Sequence, residues 1–392
     1  MIVYYFLAIV SCWIGIKSLL SGFRFAAYVR RETAQPLSDF QPFVSVIAPG
    51  RGLEPGLADN LRPLLTQDYP SYEVLFVFDR ADDPAVQIIE ELISHGFSRM
   101  ARTIIAGSAM DCGQKVHNLR VAVDEIDPQS EVLVFVDTDA RPANDWLRKL
   151  VAPLADETLG AATGYRWFIP ERGGIASHLR SVWNASVASA LGGDSAKNFC
   201  WGGSTAIRRT TFTSLNVSER WRGSVSDDFT ITHVLKEAKL PIYFTPNCLV
   251  ASVGDCDFHE LIEFTTRQIK ITRVYASHLW LPLLLGSALF ALAFFGGLIL
   301  IGVHPSSPAV YILPLIIFTL GAAKSFIRIR AVSSVLRISR RDLLAHILLW
   351  PFASLLYLYN AIVAGFSRRI EWRGITYELK SPSEAVIISR KS

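Results

Sequence analysis

Two aspartates one residue apart, Asp137 and Asp139, follow a run of five apolar residues at positions 132–136. Three of the five are valines, and such a run is typical of a strand that is buried on both faces. In open α/β sheets, ligands bind beyond the carboxyl ends of the strands. Because carboxylate oxygens are hard ligands, this pair could hold a divalent cation against a diphosphate. An ordinary polar turn after a strand is the alternative interpretation of these two residues taken alone.

Further polar residues are expected at the same edge of the sheet. Asp79 closes a second apolar run, and Asp82 follows it closely. Lys115 comes just before the helix predicted to precede the Asp137 strand, and Asn118 lies within that helix. Taken singly, each residue has a simple alternative; Lys115, for example, could lie on a solvated helix face.

A later group of candidates begins with a loop formed by Trp201, Gly202 and Gly203. Its glycines allow a ligand to approach the backbone closely, although two glycines usually just mark a turn. Asp227 and Asp228 begin a helix predicted over residues 229–238, and either could be its N-cap. Because all these features follow in order along one sheet edge, we expect them to form one site.

Alternating strands and helices are predicted to position these residues. Strands are expected at residues 43–48, 73–78, 102–105 and 132–136, with helices at 57–67, 83–95 and 116–125 between them. This rhythm is typical of a parallel sheet with right-handed crossovers. It places a water-soluble domain at residues 39–257.

Long uncharged segments at both ends of the chain predict an integral membrane protein. Residues 1–16 contain no charged side chain, and residues 274–323 contain no Asp, Glu, Lys or Arg in 50 positions. Residues 343–367 form a further segment of this kind, interrupted by Pro351. A membrane-spanning helix needs about 20 apolar residues. We therefore expect a transmembrane helix at 1–23, an interfacial helix at 258–275, a transmembrane region at 276–367 and a C-terminal tail at 368–392.

Basic residues beside the apolar segments predict the orientation. Arg24, Arg30 and Arg31 follow the first span, which favours a cytoplasmic domain and, as localisation, a bacterial inner membrane. Four crossings would place Arg368 and Arg369 outside, against the same rule. Either the segment around Pro351 is re-entrant or one span is miscounted.

The overall charge and the cysteines exclude several classes of partner. The net charge is +4, and the basic clusters lie beside apolar segments, so they suit anionic lipid headgroups and not nucleic acid. Five cysteines without a CxxC pair fit a reduced compartment and provide no metal cluster.

In their order, the motifs resemble the family 2 glycosyltransferases with a GT-A fold, and within them the ceramide glucosyltransferase-like branch. The resemblance covers about residues 43–275. It implies an α/β fold, namely a GT-A nucleotide-diphospho-sugar transferase domain with a mostly parallel sheet, joined to α-helical transmembrane segments. The matching positions are residues 67–75 and 82–85, Lys115 to Leu119, Asp137 to Asp139, Gly202 to Ser204 with Arg208, Asp227 with Asp228, and Arg267.

The resemblance also implies a role for each candidate. Asp139 and Asp137 would hold Mg²⁺ or Mn²⁺ on the diphosphate of a UDP-sugar, where a Lewis acid compensates the charge of departing UDP. Asp228 would be the base that deprotonates the acceptor hydroxyl for an inverting attack. The nucleotide-sugar side would comprise Asp79, Asp82, Lys115, Asn118, Asp137, Arg267 and Lys270. The acceptor side would comprise Trp201, Gly202, Gly203 and Asp227.

One motif departs from the family pattern. The family usually has (Arg/Gln)-x-x-Arg-Trp near the end of its site, whereas this chain has Arg267, Lys270 and Ile271 at the corresponding positions. Lysine lacks the bidentate fork of arginine, and isoleucine lacks the flat indole. The departure affects the expected identity of the acceptor more than the donor chemistry. Alternatively, these residues form a basic interfacial helix on the membrane.

The acceptor is expected to be a lipid hydroxyl, such as that of ceramide, a hopanoid or diacylglycerol, because residues 258–280 link the site to the membrane spans. UDP-glucose or UDP-GlcNAc is the expected donor. A helix at residues 176–191 is either interfacial or part of the core. The alternatives are a polysaccharide synthase and a non-catalytic nucleotide-sugar-binding scaffold. A dinucleotide site at Gly50, Gly52 and Gly56 is disfavoured by Pro49 and Pro55.

Overall fold

The computed structural model describes residues 1–54, 56–97 and 100–391, so Pro55 of the first glycine loop lies outside the described residues. The chain divides into two compact units. The sheet unit comprises residues 32–167, 193–252 and 368–392. The helical unit comprises residues 1–31, 168–192 and 253–367.

In the described part of the sheet unit, seven strands form one sheet of order β3-β2-β1-β4-β6-β5-β7. Strands β3, β2, β1 and β4 run parallel to one another, and β6 is antiparallel to both β4 and β5. The strands are β1 (Val44–Pro49), β2 (Tyr72–Phe78), β3 (Ala101–Ile105), β4 (Val132–Phe135), β5 (Ala161–Ile169), β6 (Thr205–Arg208) and β7 (Ile242–Val253). The first four strands lie where the apolar runs predict them.

The strand register explains why the predicted site residues share one edge. Ile47 of β1 lies beside Leu75 of β2 and beside Phe135 of β4. Because these three strands are parallel, their carboxyl ends emerge at the same edge. Asp79 and Asp137, which follow β2 and β4, therefore lie at the same edge of the sheet.

Helices cover this sheet and bring further candidates to it. They are α2 (Leu57–Leu65), α3 (Pro84–Ser94), α4 (Gln114–Asp124), α5 (Trp146–Val151), the 3₁₀ turn Ala152–Ala155, α7 (Arg209–Ser214), α8 (Val217–Arg220) and α9 (Asp227–Glu237). Lys115 lies in the first turn of α4. The suggestion that Asp227 or Asp228 caps α9 is wrong, because the cap is Ser226, whose hydroxyl accepts a hydrogen bond from the Phe229 amide. The two aspartates occupy the first turn, where the helix dipole favours negative charge.

Residues 368–392, expected as a tail, contain a folded three-stranded antiparallel sheet within the sheet unit. Its strands are β8 (Arg369–Trp372), β9 (Ile375–Ser381) and β10 (Glu384–Arg390). The hydroxyl of the buried Tyr377 accepts a hydrogen bond from the Gln114 amide over 3.1 Å. Arg390 donates to the Gln114 side chain over 3.1 Å. The C-terminal strands therefore support the helix turn that carries Lys115.

The helical unit contains the long apolar helices. They are α1 (Ile2–Thr33, whose residues 32 and 33 are assigned to the sheet unit), α6 (Ile175–Ala188), α10 (Phe258–Tyr275), α11 (Ser277–Val303), α12 (Ala309–Val332), α13 (Arg340–Leu348) and α14 (Trp350–Phe366). Among the described residues, α1, α11 and α12 are long and apolar enough to cross a membrane. Helices α13 and α14 meet at a bend of 60°. Pro351 lies in the first turn of α14. Because it has no N–H, the hydrogen bonds of α13 cannot continue through it into α14.

The helix predicted at residues 176–191 is part of the packing of the helical unit. Leu179, Val182 and Trp183 of α6 are buried in a cluster with residues of α10 and α14. The Trp183 ring stacks on Tyr357 of α14, with 4.7 Å between the ring centroids. Of the two interpretations left open for this segment, core packing therefore describes these side chains.

Candidate active site

Asp137 is held between two cations at the end of β4. Its Oδ1 lies 2.8 Å from Nζ of Lys115, and its Oδ2 lies 2.8 Å from a terminal nitrogen of Arg166. Burial alone would raise the pKa of Asp137, but the two cations outweigh it, so the pKa is lowered. Asp137 is therefore held as a carboxylate.

Arg166 of β5 joins the two predicted metal ligands. Its guanidinium lies 2.8 Å from Asp137 and 3.0 Å from Asp139, and it stacks over the Trp201 ring with 4.9 Å to the centroid. No motif pointed to this residue. A usable signal was present, however, because Arg166 is the one charged residue of the strand β5, and charged residues are rarely buried unless paired.

Lys115 connects the end of β4 to the start of α9. Its Nζ lies 2.8 Å from Asp137 and 3.1 Å from Asp227. Burial would lower the pKa of Lys115, but the carboxylates of Asp137, Asp227 and Asp228 outweigh it and raise the pKa. We call Lys115, Asp137, Asp139, Arg166 and Asp227 the charged cluster.

Asp137 and Asp227 both contact Lys115, and the negative charge of Asp227 is the less well compensated of the two. The side chain of Asp227 is 2% exposed, and among the described residues none donates a hydrogen bond to its Oδ2. Burial raises the pKa of Asp227 to about 6; Lys115 opposes this shift, whereas repulsion from Asp228 and Asp137 adds to it. Asp137 differs because, among the described residues, it has two cationic partners and Asp227 has one.

Gly202 and Gly203 make this packing possible. A Cβ on Gly202 would lie 2.2 Å from Oδ2 of Asp227 and 2.8 Å from Nζ of Lys115. A Cβ on Gly203 would lie 2.3 Å from the Trp201 ring and 2.8 Å from Oδ2 of Asp137. The glycine loop was predicted to let a ligand approach its backbone closely. In the structure, side chains of the protein itself approach the backbone of Gly202 and Gly203 in this way.

Asp228 lies beside the charged cluster and is half-buried. Its Oδ1 accepts hydrogen bonds from the Ser226 hydroxyl over 2.5 Å and from the Phe229 amide over 2.7 Å. From the residues that the structure describes, its Oδ2 accepts one long contact of 3.4 Å, from the Gly202 amide. One oxygen is thus fixed by two hydrogen bonds at the helix N-terminus, whereas the other makes a longer contact.

Asp79 is buried at the end of β2 and pairs with Arg51, with 3.1 Å between the charged atoms. Arg51 follows β1, so the pair joins neighbouring strand ends, and the sequence motifs gave no sign of it. Asp82 lies on the surface and forms an ion pair with Arg80. The structure therefore brings Asp79 to the sheet edge and leaves Asp82 exposed.

Two other polar residues near this edge have clear structural contacts. The amide of Asn118 donates to the Val77 carbonyl over 3.2 Å and accepts from Gln114 over 2.9 Å, which fixes α4 on β2. Asp83 caps α3 and also accepts a hydrogen bond from the Gly52 amide over 2.8 Å. A nucleotide contact by Asn118 stays a prediction.

The basic motif near residue 270 lies on α10, in the helical unit. Arg267 pairs with Glu263 one turn earlier, over 3.2 Å. Burial lowers the pKa of Lys270. Ile271, which stands where the family pattern has tryptophan, is buried. The roles predicted for Arg267 and Lys270 stay predictions.

The carboxylates at the end of β4 fit a cation that arrives with a substrate. Oxygen atoms of Asp137 and Asp139 approach the same guanidinium, so both can face one positive charge. Within the described ranges, no group of three or more His, Cys, Asp or Glu side chains could hold a metal by itself. Mg²⁺ is commonly held by one or two carboxylates together with substrate phosphates. The two aspartates match that kind of site.

Comparisons with solved structures identify the fold. A mannosyltransferase from Pyrobaculum calidifontis, solved in complex with GDP-Man and Mn²⁺, superposes with a TM-score of 0.50 at 18% identity, covering 92% of this chain and 98% of that one. The prediction of a GT-A domain with a mostly parallel sheet is confirmed.

Curated relatives match shorter segments. Ceramide glucosyltransferase 1 of Caenorhabditis elegans is 33% identical over 81 residues, which are 21% of this chain and 17% of the relative. Hyaluronan synthase of Streptococcus pyogenes is 30% identical over 110 residues, which are 28% of this chain and 26% of the synthase. The chain thus spans about a sixth to a quarter of these relatives.

The match to a sequence family is far more extensive. Residues 3–385 match the model of glycosyl transferase family 21. This range includes the charged cluster, Asp79 and Asp228, and it confirms the resemblance to ceramide glucosyltransferases. The chain therefore belongs to glycosyl transferase family 21.

Proposed function

We propose that this glycosyltransferase moves a sugar from a UDP-sugar to the hydroxyl of a membrane lipid, with inversion at the anomeric carbon. The observation that carries the proposal is the position of the half-buried Asp228 beside the charged cluster. Two cations of the cluster can receive a diphosphate, and the carboxylate beside the cluster can receive a proton. Inverting sugar transfer needs both.

On the donor side, Lys115 and Arg166 supply positive charge for the diphosphate. Arg51 and Asp79 lie at the ends of the neighbouring strands, where the nucleoside would be held. Asp137 and Asp139 would hold Mg²⁺ or Mn²⁺, which compensates the negative charge of the departing UDP. A metal of this kind is supported by the fit of the two carboxylates and by the Mn²⁺ in the solved mannosyltransferase complex.

On the acceptor side, Asp228 takes the proton of the attacking hydroxyl. Its Oδ1 is already saturated by Ser226 and Phe229, so the proton would go to Oδ2. The Gly202 amide lies 3.4 Å from Oδ2. UDP-glucose or UDP-GlcNAc is the proposed donor, and ceramide, a hopanoid or diacylglycerol the proposed acceptor.

The lipid acceptor is supported by the family and by the apolar helices. Three helices of the described chain could span a membrane, and a curated relative is a ceramide glucosyltransferase. The similarity to hyaluronan synthase raises polysaccharide synthesis as the alternative. A non-catalytic scaffold would have no need for an oriented carboxylate such as Asp228.

The product decides between these functions. Membranes containing the protein are incubated with labelled UDP-glucose, UDP-GlcNAc or UDP-galactose, with Mg²⁺ or Mn²⁺. We expect label in the organic-extractable lipid fraction for one of the sugars. Label only in high-molecular-weight, water-soluble material would favour the polysaccharide synthase. Binding of labelled donor with no product in either fraction, across several added lipids, would favour the scaffold.

The membrane topology follows from chain order. Residues 32–167 and 368–392 fold in one unit, so both must lie on the same side of the bilayer. If α11 crosses the membrane and α12 returns, then α13 and α14 must enter and leave on that same side. We therefore infer that the bent pair is re-entrant. Arg368 and Arg369 then lie on the same side as Arg24 and Arg30, in agreement with the positive-inside rule.

Single cysteines, introduced after replacement of the five native ones, test this topology in sealed vesicles of both orientations. We expect Ser389→Cys, on β10, to react with an impermeant maleimide from the same side as Ser214→Cys in the sheet unit. Ser306→Cys, between α11 and α12, should react from the other side. All three serines are exposed. Labelling of Ser389→Cys together with Ser306→Cys would show that α13 and α14 cross the bilayer.

A further inference from the structure

The guanidinium of Arg166 lies against the oxygens that are proposed to hold a divalent cation. One terminal nitrogen is 2.8 Å from Asp137 and 3.4 Å from Asp139, and the other is 3.0 Å from Asp139. The Arg166 side chain is 13% exposed, and Asp139 is 32% exposed. An internal cation is thus already bound between the two aspartates.

The charge balance shows why such a cation is present. Asp137, Asp139 and Asp227 bring three carboxylates to the charged cluster, and Asp228 adds a fourth beside it. Lys115 contacts Asp137 and Asp227 but forms no ion pair with Asp139 in the structure described. Arg166 therefore supplies the positive charge for Asp139. Because arginine stays protonated at all relevant pH values, this charge is permanent.

We propose that Arg166 is an exchangeable cation, which neutralises Asp137 and Asp139 while the donor site is empty and binds the diphosphate when nucleotide and metal occupy it. This inference rests on the proposed function. A planar guanidinium suits the exchange because it forms bidentate hydrogen bonds with carboxylates and with phosphates alike. The Trp201 ring, 4.9 Å from the guanidinium carbon, gives it a flat surface on which to turn.

The exchange makes metal and nucleotide binding cooperative. A metal ion alone has to displace Arg166 from both carboxylates, and it supplies no oxygens in their place. A metal ion that arrives with a diphosphate brings new oxygens for the same guanidinium. Each ligand then raises the affinity for the other by the same factor. Removing Arg166 should abolish most of this coupling.

Direct binding measurements test the exchange without measuring catalysis. Free Mn²⁺ is followed by electron paramagnetic resonance, and UDP by titration calorimetry, each alone and in the presence of the other. We expect Arg166→Gln to bind Mn²⁺ alone about tenfold more tightly than the wild type, and to bind UDP with Mn²⁺ about tenfold more weakly, as loss of a charge-assisted bidentate contact implies. Arg166→Lys, which keeps the charge without the fork, should lie between.

Matched variants separate the exchange from general effects. Arg220→Gln removes an exposed arginine that pairs with Glu237, and it should change neither affinity. Asp139→Asn should weaken Mn²⁺ binding in both the wild-type and the Arg166→Gln backgrounds, which locates the ion. Thermal melting confirms that each variant is folded; if Arg166→Gln does not fold, the same comparison is made with Arg166→Lys.

The outcomes distinguish the proposed exchange of Arg166 from the proposed glycosyltransferase function on which it rests. Equal or weaker binding of Mn²⁺ alone by Arg166→Gln, with wild-type UDP binding still dependent on Mn²⁺, overturns only the exchange. A wild-type protein that binds no UDP at any Mn²⁺ concentration overturns the donor assignment and the exchange together. Tighter binding of Mn²⁺ alone combined with a smaller effect of UDP on Mn²⁺ affinity supports both.

Discussion

Replacing Asp228 with asparagine is expected to lower the rate of sugar transfer about 10²–10⁴-fold, the usual contribution of a positioned general base. Asparagine keeps the size of the side chain and can still accept the hydrogen bonds of Ser226 and Phe229 through its carbonyl oxygen. It cannot take a proton from the acceptor hydroxyl. Binding of UDP should therefore change little, since Lys115 and Arg166 keep their partners.

The neighbouring aspartate provides a contrast in the same helix turn. Asp227→Asn also removes one charge at equal size, but Asp227 contacts Lys115 and is almost fully buried. We expect this change to act mainly on donor binding, seen as a raised KM for the UDP-sugar, with a smaller effect on kcat. Asp228→Asn should lower kcat and leave this KM nearly unchanged.

Steady-state rates and titration calorimetry with UDP, on the purified variants, check the contrast. Turnover of Asp228→Asn within tenfold of the wild type would remove Asp228 as the base. A fall in UDP affinity equal to the fall in rate would instead assign Asp228 to donor binding. Equal melting temperatures for the two variants would exclude a general loss of folding.

The donor edge of the sheet was predictable because its signals are local. Apolar runs at β1, β2 and β4 indicate buried strands, and parallel strands bring their following residues to one edge. Asp79 and Asp137 could thus be placed together without a structure. The order of the later motifs added Asp228 through a family resemblance, which spacing alone would not have provided.

The cationic half of the site was harder to predict because it depends on strand order. Arg166 reaches Asp137 only because β5 lies beside β6, which lies beside β4, and their order is not the order along the chain. Arg51 differs, because it follows β1, which is next to β2 along the chain as well as in the sheet; the predicted parallel strands already place it at the same edge as Asp79. Pairings between strands distant in sequence leave no local pattern.

The ends of the helices and the C-terminal strands show two other limits of prediction from the sequence. The sequence does not single out Ser226 as the cap of α9, because Ser226, Asp227 and Asp228 are all residue types that accept the capping hydrogen bond. The strands β8 to β10 are short and follow apolar helices, so the sequence pattern predicts a C-terminal tail there and not a sheet. Its buried Tyr377 contacts Gln114, which lies 263 residues earlier in the chain. Such long-range packing is set by tertiary structure.

Replacing Gly202 with alanine is expected to raise the Kd for UDP about tenfold or more and to lower the melting temperature. The added methyl group would lie 2.2 Å from Asp227 and 2.8 Å from Lys115, so at least one of these side chains must move. The side chain of Asp227 is 2% exposed and that of Lys115 is 15% exposed, and breaking a buried ion pair costs about 3–5 kcal/mol. Because Lys115 also contacts Asp137, its displacement would disturb the diphosphate end of the site. Titration calorimetry and thermal melting measure the two effects.

Gly192→Ala is the matched control, because a Cβ at Gly192 meets no atom within 4 Å. It should leave UDP affinity and melting temperature unchanged. Gly203→Ala gives a second contrast, since its Cβ would collide with the Trp201 ring and approach Asp137, the partner of Arg166. If Gly202→Ala bound UDP as the wild type does, Lys115 would not need its place beside Asp227. The diphosphate would then have to depend on Arg166, and removal of Lys115 should be tolerated as well.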